Sequence, residues 1–275
     1  MRLRAIARSR GRLGRRPGLI AVAVATALAI AAVTLVAAGG EGESANDDPS
    51  GLAPALRALV EGPPEELTEP SAAVSPPLYA IATVREGERV QIRRAPGGEP
   101  VSTVGDRTEF GSRRNFSIAR VAGDWLGVIA PELPNGRIGW IRDDRDRLEL
   151  FVTRFSLHAD LSDGELALHH GDRVIDTIPV TIGRPSSPTP VGNYAVTDAL
   201  AGATLGPWYG CCVLALSGHQ TSLPPGWLGG DRVAIHGTPG AVGGAASSGC
   251  MRASNPDMVG LFARVPLGAP VFIRA

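Results

Sequence analysis

From residue 78 onward the chain alternates apolar and polar residues in short runs that are separated by turn residues. A period of two predicts β-strands with one buried face. Five such runs precede residue 150, and they are residues 78–84, 90–92, 117–121, 125–129 and 138–141. Because glycine- and proline-rich turns divide them, we predict a small all-β domain over residues 78–150.

A second β-rich domain is predicted over residues 151–275. Its extended runs are residues 155–161, 165–170, 172–182, 211–216 and 270–273. Before the last run, apolar residues recur with helical spacing at Met258, Leu261, Phe262 and Val265. Asn255 is the predicted N-cap of this helix, with Pro256 at its first position. The pattern therefore predicts a mainly β chain with one short C-terminal helix.

The first 77 residues have a different character. Residues 1–18 contain seven arginines and no acid, and residues 19–38 are apolar except for Thr26 and Thr34. Twenty helical residues span about 30 Å, the thickness of a bilayer's hydrocarbon core. We predict a transmembrane anchor over residues 19–38, with its basic flank in the cytoplasm and the rest outside. A cleaved signal peptide is the alternative. Residues 39–77, rich in proline and acids, are predicted to form a flexible linker.

Charge and residue spacing exclude several classes of partner. The formal net charge is zero, but beyond residue 40 it is about −7. No basic stripe is interleaved with aromatic residues, so we expect no binding to nucleic acid. No set of histidine, cysteine and acidic residues has the spacing of a zinc site, and no phosphate-binding loop is present. We therefore expect neither a metal nor a cofactor.

The candidate chemistry centres on a histidine and a cysteine. The sequence His236-Gly237-Thr238 is followed, fourteen residues after its histidine, by Cys250 at the end of a glycine-rich loop. The thiolate is the attacking form of cysteine, and a paired imidazole can lower a thiol pKa from about 8.5 to about 3.5–7.5. The spacing therefore indicates a cysteine nucleophile whose pKa is lowered by the histidine.

The other two cysteines, Cys211 and Cys212, are adjacent in the sequence. A ring closed between neighbours would be strained. A bridge from one of them to Cys250 would block the nucleophile, and it stays open as an alternative. We expect instead that Cys250 is free and that Cys211 and Cys212 are small apolar residues on opposite faces of a strand.

These segments resemble the L,D-transpeptidase catalytic domain of the YkuD type. The resemblance covers residues 153–275 and rests on 236–238, on Ser247-Ser248-Gly249-Cys250-Met251-Arg252, and on residues 160–162, 188–194, 214–219 and 265–271. It implies that Cys250 is the nucleophile and His236 its base, with the Gly237 carbonyl orienting the imidazole.

The same resemblance implies an oxyanion hole made by the backbone N–H groups of Gly249 and Cys250. The substrate-binding residues it suggests are Arg252, Ser248, His219 and Thr238. This chain departs from many family members in having Ser248 where they have histidine. That departure argues against a role for a second histidine at this position.

Within the first β domain, residues 90–93, 123–126 and 139–141 resemble a bacterial SH3-like domain. Domains of that family often bind cell-wall peptide, so the resemblance implies contact with peptidoglycan. The alternative is that Trp125 and Trp140 are ordinary core residues of a small barrel.

The resemblance implies an extracytoplasmic L,D-transpeptidase that acts on donor and acceptor stem peptides of peptidoglycan. Cys250 would attack the third residue of a tetrapeptide stem, release the terminal D-alanine and pass the acyl group to an amine of a second stem, which makes a 3–3 cross-link. Water as the acceptor would instead give an L,D-carboxypeptidase. Carbapenems are expected to acylate Cys250. The alternative of another class is a non-catalytic peptidoglycan-binding protein with a degenerate catalytic fold.

Overall fold

The computed structural model describes residues 77–227 and 229–275. The predicted anchor, its basic flank and the linker up to residue 76 lie outside the described residues. Within the described ranges, no helix is both long enough and apolar enough to cross a membrane. All of these residues belong to one unit of the chain, Asp48–Ala275.

A seven-stranded antiparallel sheet forms the first part of the described chain. Its strands are β1 (Tyr79–Val84), β2 (Arg89–Arg93), β3 (Pro100–Gly105), β4 (Asn115–Ala122), β5 (Trp125–Ile129), β6 (Gly139–Arg142) and β7 (Leu148–Thr153). They lie in the order β3-β2-β6-β5-β4-β1-β7. Inward-facing side chains such as Phe116, Leu126 and Ile141 are buried in one core. The resemblance to an SH3-like domain stays a prediction.

An eight-stranded mixed sheet forms the second part. The strands from residue 155 onward are β8 (Phe155–Asp160), β9 (Glu165–His170), β10 (Arg173–Pro179), β11 (Ile182–Gly183), β12 (Gly192–Ala201), β13 (Cys212–His219), β14 (Arg232–Thr238), β15 (Ala245–Ser247), β16 (Met251–Ser254) and β17 (Pro270–Arg274). The sheet order is β10-β9-β8-β17-β12-β13-β14-β16, and β11 pairs separately with β15. Over the described residues, the predicted mainly β fold with one short C-terminal helix is confirmed.

The helix α1 (Asn255–Arg264) follows β16 without a loop. Its N-cap is Ser254, whose hydroxyl accepts a hydrogen bond from the Asp257 N–H at 3.3 Å. The prediction of Asn255 as the cap was therefore wrong by one residue. Asn255 instead accepts a hydrogen bond from the Cys211 N–H at 2.9 Å, so the start of the helix is tied to the start of β13. The predicted apolar stripe is confirmed at Met258 and Leu261, which are fully buried.

The first sheet extends a few residues further along the chain than predicted. β7 pairs with β1 up to the partners Tyr79 and Thr153, so residues 151–153 belong to the first sheet. The predicted boundary after residue 150 was wrong by these residues, because an apolar run alone does not reveal its partner strand. The alternation also missed β3, an edge strand that begins with proline and is mostly exposed.

Two loops of the first sheet hydrogen-bond to strands of the second. The Asn135 amide makes two bonds with the backbone of His219, donating to its C=O at 2.7 Å and accepting from its N–H at 2.8 Å. The Thr108 hydroxyl donates to the carboxylate of Asp198, which is fully buried. The first sheet is thus bonded directly to β12 and β13.

Candidate active site

Two neighbouring strands place His236, Cys250 and Arg252 side by side. β14 and β16 are parallel, and His236 is directly opposite Arg252 in their register. Opposite side chains in a sheet share one face, as do residues two apart in extended chain. Cys250 precedes Arg252 by two residues. All three side chains line one cleft of about 330 Å³.

The His236 ring is buried and held in one orientation. Only 5% of the residue is exposed, and its Nδ1 lies 2.8 Å from the Gly237 carbonyl oxygen. A carbonyl can only accept, so Nδ1 donates and the other ring nitrogen, Nε2, keeps its lone pair. The contact with Gly237 that the resemblance suggested is present. Residue 237 is a glycine for a steric reason, since a Cβ there would overlap the Asn255 side-chain oxygen.

The electrostatic environment favours a neutral imidazole. Burial lowers the pKa of His236, the hydrogen bond to the Gly237 carbonyl offsets part of this, and the positive charge of Arg252 lowers the pKa again. His236 therefore has a free lone pair at neutral pH and can accept a proton.

Cys250 is a free cysteine and is neutral as well. Burial raises the pKa of its thiol, and the Ala234 backbone and the Arg252 charge offset this only in part. The prediction that this pKa would be lowered was wrong, because the desolvation of the sulfur outweighs the favourable charge beside it. The resting site is a thiol next to an imidazole.

Hydrogen bonds within the loop shape the backbone before Cys250. The Ser247 hydroxyl donates to the Cys250 carbonyl at 2.6 Å and accepts from the Gly249 N–H at 3.1 Å. This bond changes the expected oxyanion hole, because the Gly249 N–H already donates to the Ser247 hydroxyl. Of the two donors suggested, the Cys250 N–H is left. Gly249 has φ of 112°, a conformation that L-residues rarely adopt.

The side chain of Gln220 packs against Gly249, where any Cβ would overlap its amide. Gln220 is buried and lines the cleft, and its amide donates to the Pro188 carbonyl at 2.8 Å and the Ser248 carbonyl at 3.2 Å. The sequence analysis missed this residue. It suggested the preceding one, His219, whose ring instead contacts the Pro131 carbonyl at 2.6 Å and the Asp231 carboxylate at 3.0 Å. His219 does not line the cleft.

The remaining suggested residues do line it. The Ser248 hydroxyl accepts a hydrogen bond from Arg184 at 2.8 Å, so an arginine contacts the serine at which the sequence departs from the expected motif. The Thr238 hydroxyl accepts from the Gly240 N–H at 3.1 Å. The half-buried Arg252 presents its guanidinium to the cleft, where its charge acts on both Cys250 and His236.

Aromatic side chains form one wall of the cleft. The Tyr209 ring lies 4.9 Å from the His236 ring, measured between centroids. Burial raises the pKa of Tyr209, and the Cys250 sulfur raises it further. Trp208 and Trp227 line the outer part of the same cleft. The hydrophobic pattern did not reveal these three residues because they lie in loops and 3-10 turns.

The paired cysteines also differ from expectation. Cys211 and Cys212 are joined by a disulfide, so the prediction of two unlinked strand residues was wrong, and the alternative bridge to Cys250 is absent. Cys212 begins β13 and is buried. Cys211 packs beside Gly237, and its sulfur contacts the Asn255 carbonyl at 3.5 Å. The disulfide therefore lies directly behind the backbone that orients His236.

The fold and the site define a β-rich domain in which a buried histidine on β14 and a free cysteine just before β16 line one cleft. Residues 154–273 match the family described as the L,D-transpeptidase catalytic domain, YkuD. The match covers the part of the chain in which the sequence motifs predicted this resemblance.

Two curated relatives carry the name L,D-transpeptidase YkuD. The protein of Bacillus licheniformis is 30% identical over 121 residues, which cover 43% of this chain and 65% of that protein. The protein of Bacillus subtilis is 32% identical over 111 residues, which cover 40% of this chain and 59% of that protein. The chain thus spans less than two thirds of the length of either relative.

Among solved structures, an L,D-transpeptidase from Mycobacterium smegmatis is similar at 20% identity with a TM-score of 0.35. The similarity covers 50% of this chain and 73% of that one. At this TM-score the likeness adds nothing to the family match.

Proposed function

We propose that this protein is an L,D-transpeptidase that forms 3–3 cross-links in peptidoglycan through a thioester on Cys250. The observation that carries the proposal is the arrangement of His236 and Cys250. A buried imidazole on β14 and a free thiol just before β16 line one cleft, inside a segment that matches the YkuD family.

The first half of the reaction follows from the neutral state of both groups. Nε2 of His236 takes the proton of the Cys250 thiol as the sulfur attacks the carbonyl of the third stem residue. The Gly237 carbonyl stabilises the imidazolium that forms, through the bond to Nδ1. The imidazolium then protonates the departing amine, so that the C–N bond breaks, D-alanine leaves and a thioester remains.

Two further groups stabilise this step. In this proposal the Cys250 N–H donates to the oxygen that becomes negative in the tetrahedral intermediate, and the loss of one such donor typically costs about 2.7–4 kcal/mol of barrier. The Arg252 guanidinium lines the cleft beside the nucleophile. We assign it to the carboxylate of the departing D-alanine, because a planar cation of this kind recognises carboxylates with two parallel hydrogen bonds.

In the second half, the amine of an acceptor stem gives a proton to His236 and attacks the thioester. The thiolate leaves and recovers its proton from the imidazolium. If water is the acceptor, the same steps release a tripeptide. The chemistry of the site is identical in both cases, and the product distinguishes them.

We also propose that the catalytic domain lies outside the cell and is held at the membrane by residues 19–38. Support comes from the sequence, in which seven arginines precede a stretch of twenty nearly uninterrupted apolar residues. Protease treatment of intact spheroplasts tests this arrangement. Digestion of the catalytic domain is expected, and full protection would contradict it.

The decisive experiment is incubation of the full-length protein with disaccharide-tetrapeptide, with the products read by mass spectrometry. We expect a cross-linked dimer that has lost one D-alanine, with no product from Cys250→Ala or His236→Gln. Val174→Ala, at an exposed position on β10, is the control that keeps activity. A tripeptide as the sole product would identify a carboxypeptidase.

A carbapenem provides an independent probe of the nucleophile. We expect a covalent adduct on the wild-type protein that maps to Cys250 and is absent from Cys250→Ala. Binding to insoluble peptidoglycan without turnover or adduct would favour the non-catalytic alternative.

A further inference from the structure

Two tryptophans at the mouth of the cleft are unusually exposed. Trp208 is 80% exposed and Trp227 is 43% exposed, and both line the cleft that contains Cys250. An indole is a large, mostly apolar side chain that folded proteins usually cover. A molecule bound in this cleft would cover both rings, which makes them a candidate part of the binding surface.

The Trp227 ring is fixed before anything binds. Its indole N–H donates to the Gly230 carbonyl at 3.0 Å. The ring also packs on the backbone of Gly229, where a Cβ would lie 3.0 Å from the indole nitrogen. Because the ring is already ordered, a ligand that stacks on it loses little entropy to protein reorganisation.

Trp208 is held at a defined place relative to the reacting centre. It lies on the 3-10 turn Pro207–Tyr209, and its neighbour Tyr209 packs against His236 with 4.9 Å between ring centroids. The same wall therefore runs from the imidazole outward to the exposed indole.

An acidic side chain completes the outer part of the cleft. Asp231 lines the cleft next to the two tryptophans, and its carboxylate is about half exposed although it pairs with His219. Two aromatic faces beside a carboxylate suit a ring that has C–H faces and hydroxyl edges. The C–H faces pack on the negative faces of the indoles, and the hydroxyls donate to the carboxylate.

We propose that Trp208, Trp227 and Asp231 form a subsite for the amino-sugar ring that carries the stem peptide. This inference rests on the proposed function, in which the third stem residue reacts at Cys250. Three extended residues span about 10 Å, so the sugar ring of a stem that reacts at Cys250 lies about that far from the sulfur, in the cleft that Cys250 shares with both tryptophans. The third stem residue is a charged diamino acid by the resemblance, and the departing D-alanine is small. Neither offers much apolar surface to two indoles, whereas a sugar ring offers a flat one.

The test compares two substrates, the disaccharide-tetrapeptide and the free tetrapeptide, with the full-length protein. We expect kcat/KM to favour the disaccharide form, and we expect Trp208→Ala to reduce this preference by about three- to tenfold, the worth of one aromatic contact. Trp208→Phe should restore part of the preference because it keeps an aromatic face. Val174→Ala, exposed but outside the cleft, should keep the full preference.

The outcomes separate the subsite from the reaction. If the wild type processes both substrates and Trp208→Ala slows the two reactions equally, the subsite is wrong and the proposed function stands. The same conclusion follows if Trp208→Ala slows neither reaction. If the wild type processes neither substrate, the proposed function fails. The subsite is then judged by tryptophan fluorescence during titration with the free disaccharide. Saturable quenching that Trp208→Ala weakens supports it, and an unchanged signal overturns it.

Discussion

The rate at which Cys250 reacts with iodoacetamide should keep rising as the pH increases through 8 and beyond. Only the thiolate is alkylated at an appreciable rate, so the rate follows the ionised fraction of the thiol. In this site burial raises the pKa of Cys250, and the Ala234 backbone and Arg252 offset that effect only in part. The thiolate is therefore a minor species at neutral pH.

The size of the effect follows from the ordinary thiol pKa of about 8.5, at which a free cysteine is about 3% ionised at pH 7. Because the pKa of Cys250 is raised, its ionised fraction at pH 7 is smaller than that of a free thiol. We expect its alkylation rate at pH 7 to be less than about one thirtieth of the plateau at high pH. A thiolate–imidazolium pair, which the sequence spacing suggested, would instead give a plateau below pH 7.

The assay measures alkylation rates from pH 6 to pH 10 by mass spectrometry, with N-acetylcysteine in the same buffers as the reference thiol. Cys250→Ala reports any background from the bonded pair Cys211 and Cys212. Arg252→Gln should shift the profile of Cys250 to higher pH, because it removes a positive charge that lowers the thiol pKa. A wild-type rate that is already constant between pH 6 and pH 7 would refute the assignment of a neutral resting pair.

Three further predictions concern stability and the shape of the site. Gly249→Ala should lower the free energy of unfolding by about 1–3 kcal/mol and abolish turnover, since it strains a positive φ and drives a methyl group into Gln220; activity close to wild type would contradict the packing described. Asn135→Ala removes two hydrogen bonds between the sheets and should lower the free energy of unfolding in urea by about 1–3 kcal/mol. The matched Asn193→Ala, at an exposed pair with an arginine, should change it by less than about 0.5 kcal/mol, and equal effects would argue against the inter-sheet bonds. Burial, with smaller effects of neighbouring charges, lowers the pKa of His158 to about 4 from 6.5. As the pH drops, His158 therefore becomes protonated in the unfolded chain before it does in the folded protein. The free energy of unfolding should fall by roughly 1–2 kcal/mol between pH 6.5 and pH 4, after allowance for solvent screening. His158→Gln should flatten the urea-unfolding profile across that window, and an unchanged slope would contradict it.

Local pattern was enough to predict the strands whose faces differ in polarity. β9 coincides with a predicted run because its alternation of apolar and polar residues matches an alternating burial pattern. β5 coincides with a predicted run because its short apolar stretch lies between turns and is buried at its centre. β3 escaped prediction because only Val104 of its six residues is buried, which leaves no alternating pattern to detect. The partner of β7 escaped because pairing depends on distant chain, so the domain boundary was placed too early.

The site shows the same division between local and tertiary information. Motif spacing identified His236 and Cys250, and the parallel register of β14 and β16 brings them to one cleft. Spacing could not reveal that burial outweighs charge at the sulfur, since burial depends on the whole fold. Nor could it choose between His219 and Gln220, because adjacent residues near a strand end point to opposite sides and only the fold decides which side faces the cleft.

Loops of the first sheet contact β12 and β14 close to the site, which its resemblance to a wall-binding domain does not suggest. Glu109, in a loop of this sheet, pairs with Arg232, which begins β14 and lines the cleft. The nearby Thr108 hydroxyl is the hydrogen-bond donor to one oxygen of the buried Asp198, whose other oxygen has no partner among the described residues. A buried carboxylate that loses its donor is strongly destabilising. Removal of residues 78–150 would therefore take these contacts from β12 and from β14, the strand that carries His236. Loss of activity in such a truncated chain would thus report on the site itself as much as on any binding of the cell wall.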